Sequence, residues 1–404
     1  MINRTVLKCV SCGKLTLTRV QIGHKNQQRH TFPCGTCGVE ITIVLDLDQK
    51  NAGLKYQDPE NAEWVKSDSE KFDHAVYLSD ELLVPNGPAD RGFPFLETMG
   101  RYKDFHEYRN DEADRQLFVR EVFKYLERCS NHFERGNYAL FDKEANVPHG
   151  KALPRRKRLQ WLYSAYSIRF ARFTREDEAT TGQIIAKIKS VNAACRVQLK
   201  ELGEEYLKAG KTLSLWKEVR GVRSAFIKSY NYIQPLYQLF YWREEFQDLS
   251  QVKLADKRFN ELQPVYIQCF ETLCRLLVIG LAYELLNEQG NLLLATRKSE
   301  MALDEFATLA NANKRDHFSR FTLLNNIFVS VIDTDFRNGI GHHSAHYDPA
   351  TDVIVLYDSK GTGAVSRTVT YTEFCGRLVD IFTAFERAAH YFQALHLIAD
   401  GKLN

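Results

Sequence analysis

The sequence predicts a mainly α-helical protein with a small β unit at its N terminus. Three observations carry that prediction. Beyond residue 111, apolar residues recur at spacings of three and four over most of the chain. Over residues 1 to about 48, short β-like runs alternate with two close cysteine pairs. Near the C terminus, Asp352–Tyr357 and Val365–Tyr371 flank a turn, Asp358-Ser359-Lys360-Gly361-Thr362-Gly363, and read as a β-hairpin inserted in the helical part.

The N-terminal region rests on its cysteines. Cys9-Val10-Ser11-Cys12 and Cys34-Gly35-Thr36-Cys37 are separated by about 21 residues, near the spacing of two-knuckle zinc sites. A two-residue gap lets both sulfurs of a knuckle turn toward one ion, and four thiolates suit tetrahedral Zn²⁺. Gly13, Gly35 and Gly38 supply the permissive backbone. Leu15–Ile22 and Val39–Leu47 are the strands expected around the knuckles. The region resembles a zinc ribbon over about 45 residues. Its metal is expected to be structural, because a small domain needs a staple and a closed four-cysteine shell leaves no open position for catalysis. Direct nucleic-acid contact is the other role such a ribbon can take. His24 and His30 lie in the loop as alternate ligands. The remaining cysteines, Cys129, Cys195, Cys269, Cys274 and Cys375, are scattered through helical sequence. They read as buried small hydrophobes, not as a disulfide framework.

Residues 49–110 concentrate Pro59, Pro85, Pro88 and Pro94 with Gly87, Gly92 and Gly100, so an irregular connector is expected. Ala75–Leu78 is a candidate strand fragment within it. Residues 111–404 form the helical domain. Its segments fall near 112–134, 156–176, 180–209, 215–246, 258–287, 297–311 and 316–337. In the last, Phe321, Leu324, Phe328 and Val331 share one face. Gly339 and Gly341 are expected to end it. Thr370 and Glu373 form a capping box. It opens a closing helix striped by Phe374, Leu378, Ile381, Phe385, Ala388, Phe392 and Leu395.

Composition bounds the function. The hydrophobic fraction is 44% and the net charge only +3, so contact with nucleic acid has to come from a local basic patch. The stretch Lys151, Arg155, Arg156, Lys157, Arg158 is one candidate for the RNA backbone, and a solvated loop is its plainer reading. The N terminus lacks an apolar signal-peptide core. The most apolar run, Leu276–Tyr283, is far shorter than the roughly 20 residues of a membrane span. A soluble, cytoplasmic protein with no membrane partner is expected.

The chemistry concentrates in Asp335-Phe336-Arg337-Asn338-Gly339-Ile340-Gly341-His342-His343. Arginine followed by a polar residue, then histidine after four intervening residues, resembles the signature of the HEPN superfamily. The motif closes an apolar helix and precedes a hairpin and a long helix, an order seen in many bacterial members. Arg101 and His106 have the same spacing, but Tyr102 replaces the polar residue and the setting is Pro/Gly-rich, so that pair is set aside.

The resemblance implies a HEPN-like helical bundle and metal-independent endoribonuclease activity, with Arg337, Asn338 and His342 catalytic. Imidazole moves protons near neutral pH. A guanidinium matches the phosphoryl oxygens on which negative charge builds. No catalytic metal is implied. One histidine per chain is thin for both acid and base, and the resemblance implies a homodimer that pools two Arg–His pairs. It also implies a setting in phage defence, abortive infection or toxin action, with a regulatory or antitoxin partner. His343, His346 and Tyr347 are candidates for substrate contact. His342, His346 and Asp348 are an alternative metal set. Arg337 paired with Asp333 or Asp335 at a helix end is the plain structural alternative. The rival functions are a non-catalytic HEPN scaffold and a zinc-ribbon nucleic-acid-binding regulator.

Overall fold

A computed structural model describes residues 2–22, 27–48, 53–65, 71–79, 82–84, 112–146, 153–174, 178–241, 253–254, 257–295, 300–341, 345–348, 351–357 and 364–399. The chain is mainly helical, with small N-terminal β-sheets and C-terminal strands. It divides into two compact units, each assembled from separated stretches. One comprises residues 1–108, 231–259 and 345–376. The other comprises 109–230, 260–344 and 377–404. The three consecutive regions expected from the sequence therefore do not coincide with the units.

The strands of the first unit are β1 (Ile2–Cys9), β2 (Leu15–Gln21), β3 (Gln27–Pro33), β4 (Glu40–Asp48), β5 (Gly53–Tyr56), β6 (Ala62–Val65), β7 (His74–Leu78), β8 (Leu82–Val84) and β9 (Lys253–Leu254). They form a six-stranded sheet in the order β6-β1-β2-β7-β8-β9 and a three-stranded sheet, β3-β4-β5. β1 pairs antiparallel with β2 and β6, while β2 and β7 run parallel. The expected ribbon strands are present as β2 and β4. The expectation of an irregular connector is corrected over its described part, while residues 85–110 lie outside the described residues. Residues 53–84 carry β5 to β8, and β6 and β7 flank β1 and β2. Alternation sorts the side chains. Leu7, Val20, Phe32, Ile41, Ile43 and Leu45 are buried in one cluster with Cys9 and Cys34. Val6, Leu17 and Ala75 pack on the opposite face.

The helices are α1 (Phe123–Glu134), preceded by a π-helical turn at Phe118–Val122, then α2 (Tyr138–Glu144), α3 (Arg155–Phe170), α4 (Glu178–Ala194), α5 (Arg196–Lys208), α6 (Lys211–Tyr241) and α7 (Phe259–Gln289). A small hairpin, β10 (Leu293–Ala295) and β11 (Glu300–Ala302), leads to α8 (Leu303–Thr308), α9 (Asn311–Phe318) and α10 (Thr334–Gly341). Then follow β12 (Ala345–Asp348), β13 (Val353–Tyr357), β14 (Val365–Thr370) and the closing helix α11 (Tyr371–Ala399).

The helical core is as the periodicity predicts. Leu276–Tyr283, the centre of α7, is buried on every face, which is what an apolar run without a polar side requires. Helix α7 alone among the described residues is long and apolar enough to cross a membrane, and 78% of its most apolar window is buried in the protein. Every stripe residue of α11 is buried. Phe226 stacks on Phe382 with centroids 3.5 Å apart. Beside that stack Arg223 makes a bidentate pair with Glu386 at 2.8 and 2.7 Å. The scattered cysteines are buried free thiols, as expected, and burial raises Cys129 to about 11.

The C-terminal hairpin is β13–β14, extended by β12 into a three-stranded sheet. Its turn, 358–363, lies outside the described residues. The capping box is present. The Thr370 backbone N–H donates to Glu373 Oε2 at 2.7 Å, and the Glu373 N–H donates to Thr370 Oγ1 at 3.2 Å. The single helix expected over 316–337 is corrected. Helix α9 stops at Phe318, a turn at Thr322–Leu324 runs into a π-helical turn at Asn325–Val329, and α10 begins anew at Thr334.

Candidate functional site

Cys9 ends β1 and Cys34 follows β3, and each opens a knuckle of the same design. The Cys9 and Cys34 N–H groups donate to the carbonyls of Lys14 and Val39, and their own carbonyls accept from Gly13 and Gly38. Both glycines have positive φ, +72° and +74°, which closes each turn without Cβ strain. Gly35 serves differently. A Cβ there would sit 2.6 Å from the His74 ring, and His74 Nε2 hydrogen-bonds Thr36 Oγ1 at 2.6 Å.

The four sulfurs lie within 4.8 Å of one another, with Cys9–Cys37 and Cys12–Cys34 both at 3.7 Å. A tetrahedron of sulfurs about 2.3 Å from zinc has edges of roughly 3.8 Å, so the donors fit one such ion. Burial acts to raise the Cys9 thiol. Backbone hydrogen bonds from Cys12 and Ser11, together with the neighbouring thiols, outweigh it and bring Cys9 down to about 7. His24 lies outside the described residues. His30 is a buried residue of β3, not one of the clustered donors.

The arginine motif lies on α10. Asp333 caps it: its Oδ1 accepts from the Phe336 N–H at 2.9 Å and its carbonyl from the Arg337 N–H at 3.0 Å. Gly339 and Gly341 lie inside the last turn, so the helix runs further than the glycines suggested. The Ile340 carbonyl at that end accepts from Gln263 of α7. Arg337 pairs with neither Asp333 nor Asp335. Its Nη2 meets Glu271 of α7 at 2.6 Å, and its Nη1 donates to Asn338 Oδ1 at 3.2 Å. Glu271 Oε2 in turn accepts from Asn311 Nδ2 at 3.2 Å. Asp333 Oδ2 pairs instead with Arg377, whose guanidinium lies 4.7 Å over the Phe336 ring. Arg337 is 22% exposed and Glu271 30%, so the cluster borders solvent. His342 follows the last residue of α10, but it and His343 lie outside the described residues, as does the Arg101/His106 pair. The alternative metal set includes His342 and so extends beyond them too.

The other candidates divide. His346 is exposed on β12. Tyr347 is corrected from substrate contact to internal support. Its hydroxyl donates to buried Asp352 at 3.0 Å, and its ring packs against Phe259 and Tyr371. Arg158 is also corrected. It is buried, grips Asp142 through two nitrogens, and lies 4.6 Å over the Tyr138 ring. Arg155, in the first turn of α3, is exposed, and Arg156 is half-buried. Sequence reasoning missed Glu271 and Asn311. Its available signal was Glu271 itself, a carboxylate interrupting an apolar run, which needs a partner when its helix is buried. No family model, curated protein or solved structure matches the chain.

Proposed function

We propose that the protein is a metal-independent endoribonuclease of the HEPN type, acting as a homodimer, with Zn²⁺ as a structural ion on Cys9, Cys12, Cys34 and Cys37. The observation that carries this reading is Arg337 with Asn338 on a capped helix, partly exposed and oriented by Glu271, with Arg337 five positions before His342 in sequence. Arg337 retains N–H donors beyond those given to Glu271 and Asn338, and these suit a phosphodiester.

In the proposed reaction the ribose 2′-oxygen attacks the adjacent phosphorus as the bond to the 5′-oxygen breaks. One His342 takes the 2′-hydroxyl proton. The partner's His342 gives a proton to the departing 5′-oxygen. Arg337 stabilises the charge that builds on the non-bridging oxygens. The products are a 2′,3′-cyclic phosphate and a 5′-hydroxyl. Arg155 and Arg156 are retained as contacts for the RNA backbone and His343 and His346 for the substrate. A role in phage defence, abortive infection or toxin action, under a regulatory or antitoxin partner, belongs to the same proposal.

The test is RNA cleavage by purified protein in excess EDTA, with end-group analysis and the mass in solution. Cyclic-phosphate ends from a dimer support the proposal. A strict monomer, or products that carry a 5′-phosphate, would contradict it.

A further inference from the structure

A guanidinium carries one positive charge, and that of Arg337 is already matched inside the chain. Glu271 Oε1 lies 2.6 Å from its Nη2, the short distance of a charge-assisted contact. Asn338 Oδ1 accepts from Nη1 at 3.2 Å. Nε is buried and, among the described residues, makes no hydrogen bond. A phosphate gripped bidentately needs N–H groups on two neighbouring nitrogens. With Nε closed to solvent, the remaining fork is Nη1 with Nη2, the two nitrogens that Asn338 and Glu271 hold. Two neighbouring cations are paired elsewhere. Arg275, one turn beyond Glu271 on α7, meets Glu218 at 2.6 Å, and Arg377, over the Phe336 ring, meets Asp333 at 3.4 Å. A phosphodiester that reaches Arg337 therefore meets a carboxylate of its own sign on the same guanidinium, and like charges so close repel. The carboxylate has a second hold. Glu271 Oε2 accepts from Asn311 Nδ2 on α9 at 3.2 Å, and the side chain is 30% exposed. Rotation of the glutamate can release Arg337 while Asn311 and water keep the carboxylate satisfied.

We infer that Glu271 is an autoinhibitory counter-anion of the Arg337 site, occupying the guanidinium until an RNA phosphodiester displaces it; the ligand's class rests on the nuclease reading. The same carboxylate orients Arg337 in the unliganded chain and competes with the substrate for it.

The experiment measures binding of a short RNA with 2′-O-methyl riboses, which cannot be cut, at fixed ionic strength. Wild type is compared with Glu271→Gln, Arg337→Ala and the double variant. Glutamine keeps the shape of Glu271 and a hydrogen-bonding oxygen but not the charge. Glu271→Gln is expected to bind about three- to fivefold more tightly, the scale of a partly exposed ion pair. In the Arg337→Ala background the same change should give no gain, because the competition is for that guanidinium. Equal or weaker binding by Glu271→Gln would overturn the inference. So would an equal gain without Arg337, which is general charge repulsion, or the absence of binding in both wild type and Glu271→Gln. If Glu271→Gln does not fold, Glu271→Asp decides, since its carboxylate is one methylene shorter and drawn back from Arg337. Tighter binding then supports the competition, and equal or weaker binding overturns it. The nuclease reading fails separately. Arg337-dependent cleavage with no gain in Glu271→Gln removes only the competition. A gain with no cleavage by wild type removes the nuclease reading and keeps the displaced carboxylate.

Discussion

At Arg337 the two ends of the guanidinium are held differently, one by a carboxylate on another helix and one by the next residue in the chain. The second contact was legible in the sequence, because Asn338 is a covalent neighbour. The first was not, because nothing in a sequence pairs Arg337 with Glu271, 66 positions away. The same limit explains Arg158. A run of basic residues looks solvated, but the helical turn carries this one inward to Asp142. Breaking a buried ion pair leaves one charge unmatched, so Arg158→Ala is expected to lower stability by about 3 kcal/mol. Denaturant titration measures this, and RNA affinity below the melting transition should be unchanged. His396 adds a pH dependence. Burial lowers it from 6.5 to about 4, with Arg155 contributing, and its Nδ1 shares a hydrogen bond with Tyr163. The folded state thus prefers the neutral ring. Stability associated with His396 is complete above pH ~6.5 and is lost as pH falls toward ~4, about 3 kcal/mol in all. Replacing His396 by Gln should flatten that part of the stability–pH curve, and an unaltered curve would show the acid sensitivity to lie elsewhere.

Among elements, those with local signals were the legible ones. The capping box at Thr370 and the stripe of α11 both follow from residues a turn or two apart. Thr370→Ala should cost about 1 kcal/mol, read as a lower denaturant midpoint with unchanged slope. The apolar pattern of 316–337 was real but did not make one helix. Phe321, Leu324 and Phe328 are buried as the pattern requires. The backbone nevertheless breaks before Asp333, whose side chain satisfies the N–H groups of a new helix. That break gives the motif its own short helix, with Arg337 one turn from the cap. The connector was illegible for the opposite reason. Strands β6 and β7 are stabilised by pairing with β1 and β2, and residues rich in proline and glycine nearby masked short strands whose partners are distant in sequence.

For the whole molecule, the mainly helical class and the four-cysteine cluster were legible, while the assembly of each unit from separated stretches was not. Each unit depends on contacts between segments far apart in the chain, which periodicity does not encode. The cysteine knuckles join β1, β3 and the turns after them, so a metal there braces the first unit's sheets. The protein is expected to carry one Zn²⁺ per chain. Chelation, or Cys9→Ser, should lower the thermal stability of that unit, since metal binding is coupled to folding. Elemental analysis with differential scanning calorimetry measures both, and a melting profile indifferent to metal would refute the staple.

The central claim concerns Arg337 and His342, and cleavage of RNA in excess EDTA tests it most directly. Wild-type protein should cut under these conditions and leave 2′,3′-cyclic phosphate ends. Arg337→Ala and His342→Ala should each be slower by at least about 100-fold while remaining folded at the assay temperature. Equal cutting by the variants, or cutting by the wild type that EDTA abolishes, would contradict it.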